Sequence, residues 1–211
     1  MDIICAIREL CKGENGFENM FNKSKSIGKL GKLTGGSKDA RLYEALIFGS
    51  AREALIELIL DAYDFKEYEP EIKSSLISDG LSAEEAKRAL EIFYKAFGFP
   101  GYRKIDRSKE RTIIDEDGKA RTEYRGEAEN GKEHGVGVRN FYYEGKWCSL
   151  DECVWIDGVM CGYDYAKELE FGAFEDKKCG FVVNNYFVGR FKYIYSDGEE
   201  SYEQGMKLNI R

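Results

Sequence analysis

The sequence contains a single histidine, His134, which limits the catalytic mechanisms that it can support. A serine or cysteine nucleophile paired with histidine would have to use this one imidazole, and the spacing of the neighbouring residues identifies no partner for it. His134 also follows an Asn-Gly turn signal, so a place in a β-hairpin explains it without any chemistry. We therefore predict a structural role for His134, and the sequence assigns no catalytic residue.

Cysteine thiolates are a second group that could do chemistry, because four of them can hold zinc in a tetrahedral site. The chain has six cysteines and no C-x-x-C pair. The four in the second half are separated by 5, 8 and 18 residues, which matches no familiar zinc motif. We interpret them as thiols in a reducing compartment, several of them in the core, and predict neither a metal nor another cofactor. These four residues are Cys148, Cys153, Cys161 and Cys179.

A basic, glycine-rich stretch covers Lys23–Arg41. Its lysines and flexible backbone could hold a phosphate group. It is not a Walker loop, because Gly31-Lys32 is followed by Leu33 rather than by Ser or Thr. We predict a solvated loop between two helices, and the alternative is contact with an acidic partner through Lys29 and Lys32.

Carboxylates are numerous, and two of them could act as general acid and base if they faced each other across a cleft. The sequence does not show whether any two do so. We predict that most are turn residues or solvated charges at sheet edges. Examples are Asp115, Glu116, Asp117, Asp151, Glu152, Asp157 and Asp164.

The composition argues against two classes of partner. Of 211 residues, 32 are Lys or Arg and 39 are Asp or Glu, so the formal net charge is -7. A dedicated binder of bulk nucleic acid or of an anionic membrane would need a positive surface. No apolar run reaches the roughly 18 residues of a membrane span, and the first residues do not resemble a signal peptide. The expectation is a soluble, cytoplasmic protein.

The first hundred residues have the 3.6-residue periodicity of helices. Asp2 is the candidate N-cap of the first helix. Ser50 and Glu53 predict a capping box for a helix that extends to Phe65. The strongest helical pattern covers Leu81–Phe97. Its predicted capping residues are Ser82, Glu85 and Gly98, followed by Pro100.

From about Tyr102 the pattern changes to the alternation and the Asp-Gly or Asn-Gly turns of β-hairpins. A boundary between Pro100 and Arg107 predicts a helical domain over 1–100 and an antiparallel β domain over 101–211. The fold class is therefore α+β, with a helical bundle followed by a sheet of repeated hairpins. The predicted strands are 111–115, 119–124, 124–127, 135–138, 142–147, 153–156, 169–174, 180–183, 186–195 and 201–204.

Self-comparison of the second half shows a degenerate repeat. In Tyr124–Val138, an aromatic residue is followed by a glycine two residues later, by an Asn-Gly turn and by a pair of glycines. We predict that stacked hairpins bury a ladder of aromatic rings and that the glycines let adjacent strands approach closely. The predicted repeat starts, 19, 27 and 17 residues apart, are Gly126, Gly145, Gly172 and Gly189.

Tyr124–Val138, with the pattern Tyr-x-Gly-Glu-x-x-Asn-Gly-Lys-x-His-Gly-x-Gly, resembles the MORN repeat family. The resemblance continues weakly through Tyr143–Trp147 and loosely to Gly198, and the inserted Cys148–Cys153 departs from the pattern. It implies a β-hairpin array used for contacts with other proteins, for oligomerisation or, in some members, for lipid association. The first half looks, more vaguely, like small helical modules of multidomain bacterial proteins.

We expect a non-enzymatic scaffold or regulatory protein whose sheet binds another protein, with homo-oligomerisation as a second option. Tyrosine and tryptophan contribute heavily to such interfaces. Three alternatives stay open: a small enzyme or ligand sensor that uses carboxylates and the basic glycine-rich loop, a peripheral lipid binder, and a regulator of microbial immunity or anti-immunity. The candidate binding residues of the sheet are Tyr124, Tyr142, Tyr143, Trp147, Trp155 and Tyr163.

Overall fold

A computed structural model describes residues 1–13, 15–170 and 174–208 of the chain. It contains two compact units: residues 1–96, together with Lys207 and Leu208, and Phe97–Met206. Helices make up the first unit and an antiparallel sheet makes up most of the second. The predicted α+β class, with helices first, is confirmed.

The helices of the first unit are short and pack through their apolar faces. Leu46, Leu58 and Phe93 are among the fully buried residues at their centre. In chain order the helices are α1 (Ile3–Leu10), α2 (Gly16–Met20), α3 (Lys23–Thr34), α4 (Lys38–Phe48), α5 (Arg52–Leu60), a 3-10 helix (Ala62–Glu67), α6 (Glu69–Ser78) and α7 (Ala83–Ala96).

Two of the three predicted N-terminal helix caps form. The Asp2 carboxylate accepts the backbone N–H groups of Ile4 and Cys5. At the start of α7, Ser82 and Glu85 exchange hydrogen bonds in a capping box. The capping box predicted at Ser50 is wrong, because α5 begins two residues later and the Ser50 hydroxyl donates instead to the carbonyl of Ser75.

The basic glycine-rich stretch is not a loop. Its first half is helix α3, which Asn22 caps by accepting the N–H of Lys25. Each interior glycine costs a helix about 1 kcal/mol relative to alanine, yet α3 is anchored by two buried residues. Leu30 is in the core, and the Ser26 hydroxyl donates to the carbonyl of Met20 at 2.6 Å. Burial therefore outweighs the low helix propensity of the glycines.

The second unit contains an eight-stranded antiparallel meander in which each described strand pairs with the next along the chain. Tyr142–Trp147, predicted as one strand, is instead a hairpin turn, with Glu144 and Gly145 both at positive φ. Cys148–Cys153 lies within a strand, and Cys148 is an extra residue at a β-bulge, since Phe141 pairs with Ser149 and Tyr142 pairs with Trp147. The strands are β1 (Glu110–Asp117), β2 (Ala120–Glu129), β3 (Lys132–Tyr143), β4 (Lys146–Ile156), β5 (Val159–Glu170), β6 (Phe174–Val183), β7 (Tyr186–Ile194) and β8 (Glu200–Gln204).

The hairpins repeat every 27 residues. Asn130, Asp157 and Asn184 begin equivalent turns, with φ of 52°, 55° and 52°. The predicted repeat starts are therefore not equivalent, since Gly126 lies within β2, Gly145 in a turn and Gly189 within β7. The predicted start at Gly172 lies outside the described residues.

Strand register assigns the side chains to two faces, because paired residues share a face and successive residues alternate. Face A carries the row Ile113, Tyr124, Arg139, Asp151, Ala166 and Lys178. Face B carries the row Arg125, Val138, Glu152, Tyr165 and Cys179.

Aromatic residues on face A lie against glycines of neighbouring strands. A Cβ atom on Gly137 would overlap the Tyr124 ring, and one on Gly180 would overlap Phe191. Tyr124 is completely buried, and its hydroxyl donates to the carbonyl of Glu127 at 2.7 Å. Its ring also meets the ring of Trp155 edge-on, with 5.7 Å between the centroids.

Part of face B is covered by the segment Phe97–Arg103. Phe97 and Phe99 pack on Phe181, with ring centroids 5.7 and 5.9 Å apart. Arg103 fixes the end of the segment, since it donates to the carbonyl of Tyr163 at 2.9 Å and contacts the Glu152 carboxylate at 2.8 Å. Farther along face B, Tyr142 and Trp147 are half-buried.

We predict that Tyr124→Ala lowers the free energy of unfolding by about 3–5 kcal/mol, because it removes a buried ring between two strands. Tyr143→Ala is the matched control: Tyr143 is 49% exposed, so its truncation should change stability by about 0.5 kcal/mol or less. Chemical denaturation of both variants measures the difference. Equal losses would contradict the assignment of Tyr124 to the core.

Candidate functional site

Three of the candidate binding residues lie in the core. Tyr124 and Trp155 are fully buried on face A, and Tyr163 is buried on face B beneath Phe99 and Arg103. Their rings therefore stabilise the sheet and offer no surface to a partner.

The other three aromatic candidates lie where β3 turns into β4. Tyr142 and Trp147 are half-buried on face B and directly oppose each other across the two strands, whereas Tyr143 is exposed at the turn. The Trp147 indole N–H donates to Asn140 Oδ1 at 3.1 Å, and the Arg121 guanidinium lies 6.0 Å from the Tyr142 ring centroid. We call Arg121, Glu123, Asn140, Tyr142 and Trp147 the aromatic strip.

The aromatic strip borders a surface hollow of about 420 Å³. Arg121 crosses it and contacts Glu123 at 3.1 Å and Glu116 at 3.5 Å. The strip thus offers two flat rings beside a paired cation and two carboxylates. Such a surface can bury apolar groups while its charges fix the register of a partner.

Lys29 and Lys32 lie on α3, in the other unit of the chain, and both are exposed. The Lys29 ammonium donates to the carbonyl of Glu9 at 3.1 Å, near the end of α1. Lys32 is in the last turn of α3, where a cation interacts favourably with the helix dipole. These contacts give both lysines a structural role.

A polar cluster lies on face A of the middle hairpin, β4–β5, where the prediction of turn residues or solvated charges is wrong for Asp164. Asp164 is only 1% exposed, and its Oδ1 atom has no hydrogen-bond partner among the described residues. Asp151 lies nearby on the same face. The Arg139 guanidinium stacks over the Trp155 ring at 4.1 Å from its centroid and lies 4.0 Å from the Asp151 carboxylate.

Burial governs the acidity of both carboxyl groups. It raises the pKa of Asp164 well above its usual value, and the neighbouring Asp151 carboxylate raises it further, whereas Arg103 and Arg139 oppose the shift only in part. Burial also raises the pKa of Asp151, again against Arg139. Asp164 therefore retains its proton to a higher pH than an exposed aspartate.

The 27-residue period is the sequence signal that identifies this cluster. Asp151 occupies the position of Tyr124 in the preceding hairpin, and Asp164 occupies the position of Gly137. At these two positions the middle hairpin has an acid where the first hairpin has a ring or a glycine. A buried acid must have polar or charged neighbours, so both positions stand out from the repeat. An alignment on the turns, rather than on the glycines, would have revealed both positions.

Within residues 1–13, 15–170 and 174–208, no group of three or more His, Cys, Asp or Glu side chains could hold a metal ion. Burial raises the pKa of the Cys153 thiol well above its ordinary value, which keeps it protonated and a poor nucleophile. His134 is half-buried, with Nδ1 3.7 Å from Glu129 Oε2.

Comparison with known proteins adds no relative: no family model matches the chain, and the search of curated proteins gave no match. The resemblance to the MORN repeat therefore rests on the residues of Tyr124–Val138 alone. In the described part of the chain, every helix is too short or too polar to cross a membrane.

We predict that Asp164→Asn raises the free energy of unfolding at pH 7, by about 1–3 kcal/mol, because it removes an ionisable group from a buried site. The folded protein holds the Asp164 proton to a higher pH than the unfolded chain, whose pKa is about 3.8. Stability from this group is thus greatest below that value and falls as the pH rises toward the folded-state pKa.

Urea denaturation at several pH values between 4 and 8 tests this prediction, with Asp117→Asn at an exposed strand end as the control. The advantage of Asp164→Asn over the wild type should grow with pH, while the control should follow the wild type. A destabilised variant with an unchanged pH profile would show that the Asp164 carboxylate is a structural charge.

Proposed function

We propose that this chain is a protein-interaction module that binds another protein through the aromatic strip on face B of its MORN-like sheet. The direct pairing of Tyr142 with Trp147 across β3 and β4 is the observation that carries the proposal. Two rings side by side at the open end of a sheet are a surface that a partner can cover. The role is that of a scaffold or regulator, without a reaction of its own.

The geometry of the strip favours binding at a low entropic cost. The Trp147 ring is held by its hydrogen bond to Asn140, and the Tyr142 ring is flanked by Arg121. Side chains fixed before binding lose little rotamer freedom when a partner arrives. Half-buried tyrosine and tryptophan also have the properties of residues that dominate binding energy.

The proposed setting is the cytoplasm of a bacterium. All six cysteines of the chain are free thiols, which suits a reducing compartment. Another protein is the proposed partner, and a second copy of the chain is the alternative. A role in microbial immunity has no structural observation in its favour and stays a prediction.

The enzyme alternative depended on two features, the basic glycine-rich loop and the carboxylates. The basic stretch that would have supplied a phosphate-binding loop is in part helix α3, and its Lys29 is bound to the end of α1. The remaining support is the Asp151 and Asp164 pair, but Asp164 is closed off from solvent. A buried acid that a substrate does not reach is a weak candidate for catalysis.

We predict that the double variant Tyr142→Ala/Trp147→Ala loses the partner while remaining folded. Affinity capture from the native host, followed by mass spectrometry, identifies the protein that the wild type retains. Titration calorimetry with that purified protein should then show at least a roughly tenfold higher Kd for the variant.

The control is Tyr186→Ala/Tyr202→Ala, which removes two exposed tyrosines from β7 and β8 and should leave the Kd unchanged. An unchanged Kd for the strip variant would refute the proposal. If the wild type captures only itself, sedimentation of both variants shows whether the strip is a dimer interface.

A further inference from the structure

A second hollow, of about 660 Å³, lies on face B where the segment before β1 passes over β2 and β3. It differs from the rest of this acidic chain in its charge, because three cations and one carboxylate surround an apolar floor. The residues that line it are Lys104, Ile105, Arg107, Glu110, Arg125 and Val138.

The segment that carries Lys104 and Arg107 is held in place at Asp106. Asp106 lies between them, and its backbone N–H donates to the buried Glu127 carboxylate at 2.8 Å. The Asp106 carboxylate in turn accepts the Ser108 hydroxyl at 2.7 Å and the Ser108 N–H at 3.1 Å. The cations are therefore displayed from a backbone that is already ordered, which reduces the entropy lost on binding.

The charges of the hollow are only partly neutralised. Arg125 contacts the Glu110 carboxylate at 2.8 Å. In the described ranges of the chain, neither Lys104 nor Arg107 has a carboxylate within 4.0 Å. Two uncompensated cations beside a third that is shared form a site with an excess of positive charge, on a protein whose net charge is -7.

Below the cations, the half-buried Ile105 and Val138 provide an apolar floor. A ligand that suits both parts has a compact, multiply charged anionic group attached to an apolar body. Phosphate oxygens accept several hydrogen bonds from guanidinium and ammonium groups in the geometry that arginine offers. A long polyanion suits the site less well, because Glu123 and Glu152 flank it on face B.

We propose that this hollow binds a small phosphate monoester, with its phosphate on Lys104, Arg107 and Arg125 and its organic part on Ile105 and Val138. This site is separate from the aromatic strip and does not depend on the proposed protein partner. Because Glu110 competes with the phosphate for Arg125, Glu110 weakens binding, and its neutralisation should strengthen it.

The test uses phenyl phosphate as the probe, with Kd measured by calorimetry and the methyl NMR signals of Ile105 and Val138 followed during the titration. Lys104→Gln and Arg107→Gln should each raise the Kd about tenfold, since each removes a charged hydrogen bond. Glu110→Gln should lower it. The Lys104 and Arg107 side chains are both exposed, so these two variants should fold.

Two controls change the net charge at exposed positions outside the hollow. Lys23→Gln on α3 matches the charge change of the Lys104 and Arg107 variants, and Glu203→Gln on β8 matches that of Glu110→Gln. They should leave the Kd near that of the wild type. Equal effects of test and control variants, or shifts confined to other methyl groups, would overturn the site. Phenyl phosphate should also bind more tightly than benzoate and inorganic phosphate. If the Kd of inorganic phosphate equals that of phenyl phosphate, the apolar floor takes no part in binding and the proposal of a monoester fails.

Discussion

The sheet depends on the close approach of aromatic residues to glycines on adjacent strands. Tyr124 lies on Gly137 in the first hairpin and Phe191 lies on Gly180 in the third, at distances that leave no room for a side chain on the glycine. A single two-stranded hairpin is marginal in water. Tyr124 of the first hairpin, Trp155 of the second and Val182 of the third belong to one buried cluster, and this shared burial supplies the stability that one hairpin lacks.

The middle hairpin departs from this packing and carries the buried polar cluster of face A. Cys153 and Asp164 replace the two glycines that face each other in the first hairpin, Gly126 and Gly137. Arg139 of the first hairpin stacks over the Trp155 ring of the middle hairpin. The buried Asp164 carboxyl group reduces stability at neutral pH, because burial disfavours its charged form.

Face B is divided by the segment Phe97–Arg103, and this division determines which surface is available for binding. Phe99 and Arg103 cover Tyr163, whereas Tyr142 and Trp147 lie beyond the cover. The same ordered approach to the sheet presents Lys104 and Arg107 over the second hollow. The segment therefore covers part of face B and leaves two hollows beside it.

The sequence by itself determined that helices precede an antiparallel sheet, and it determined the capping of α7 and the presence of aromatic rings and glycines in stacked hairpins. These follow from local periodicity and turn chemistry, which act over a few residues. Only the tertiary structure decided that Lys29 and Lys32 lie on a helix, that Tyr124 and Trp155 are core while Tyr142 and Trp147 are surface, and that Asp164 is buried. Burial depends on strand register and on the cover provided by distant segments, and residue type alone does not specify either.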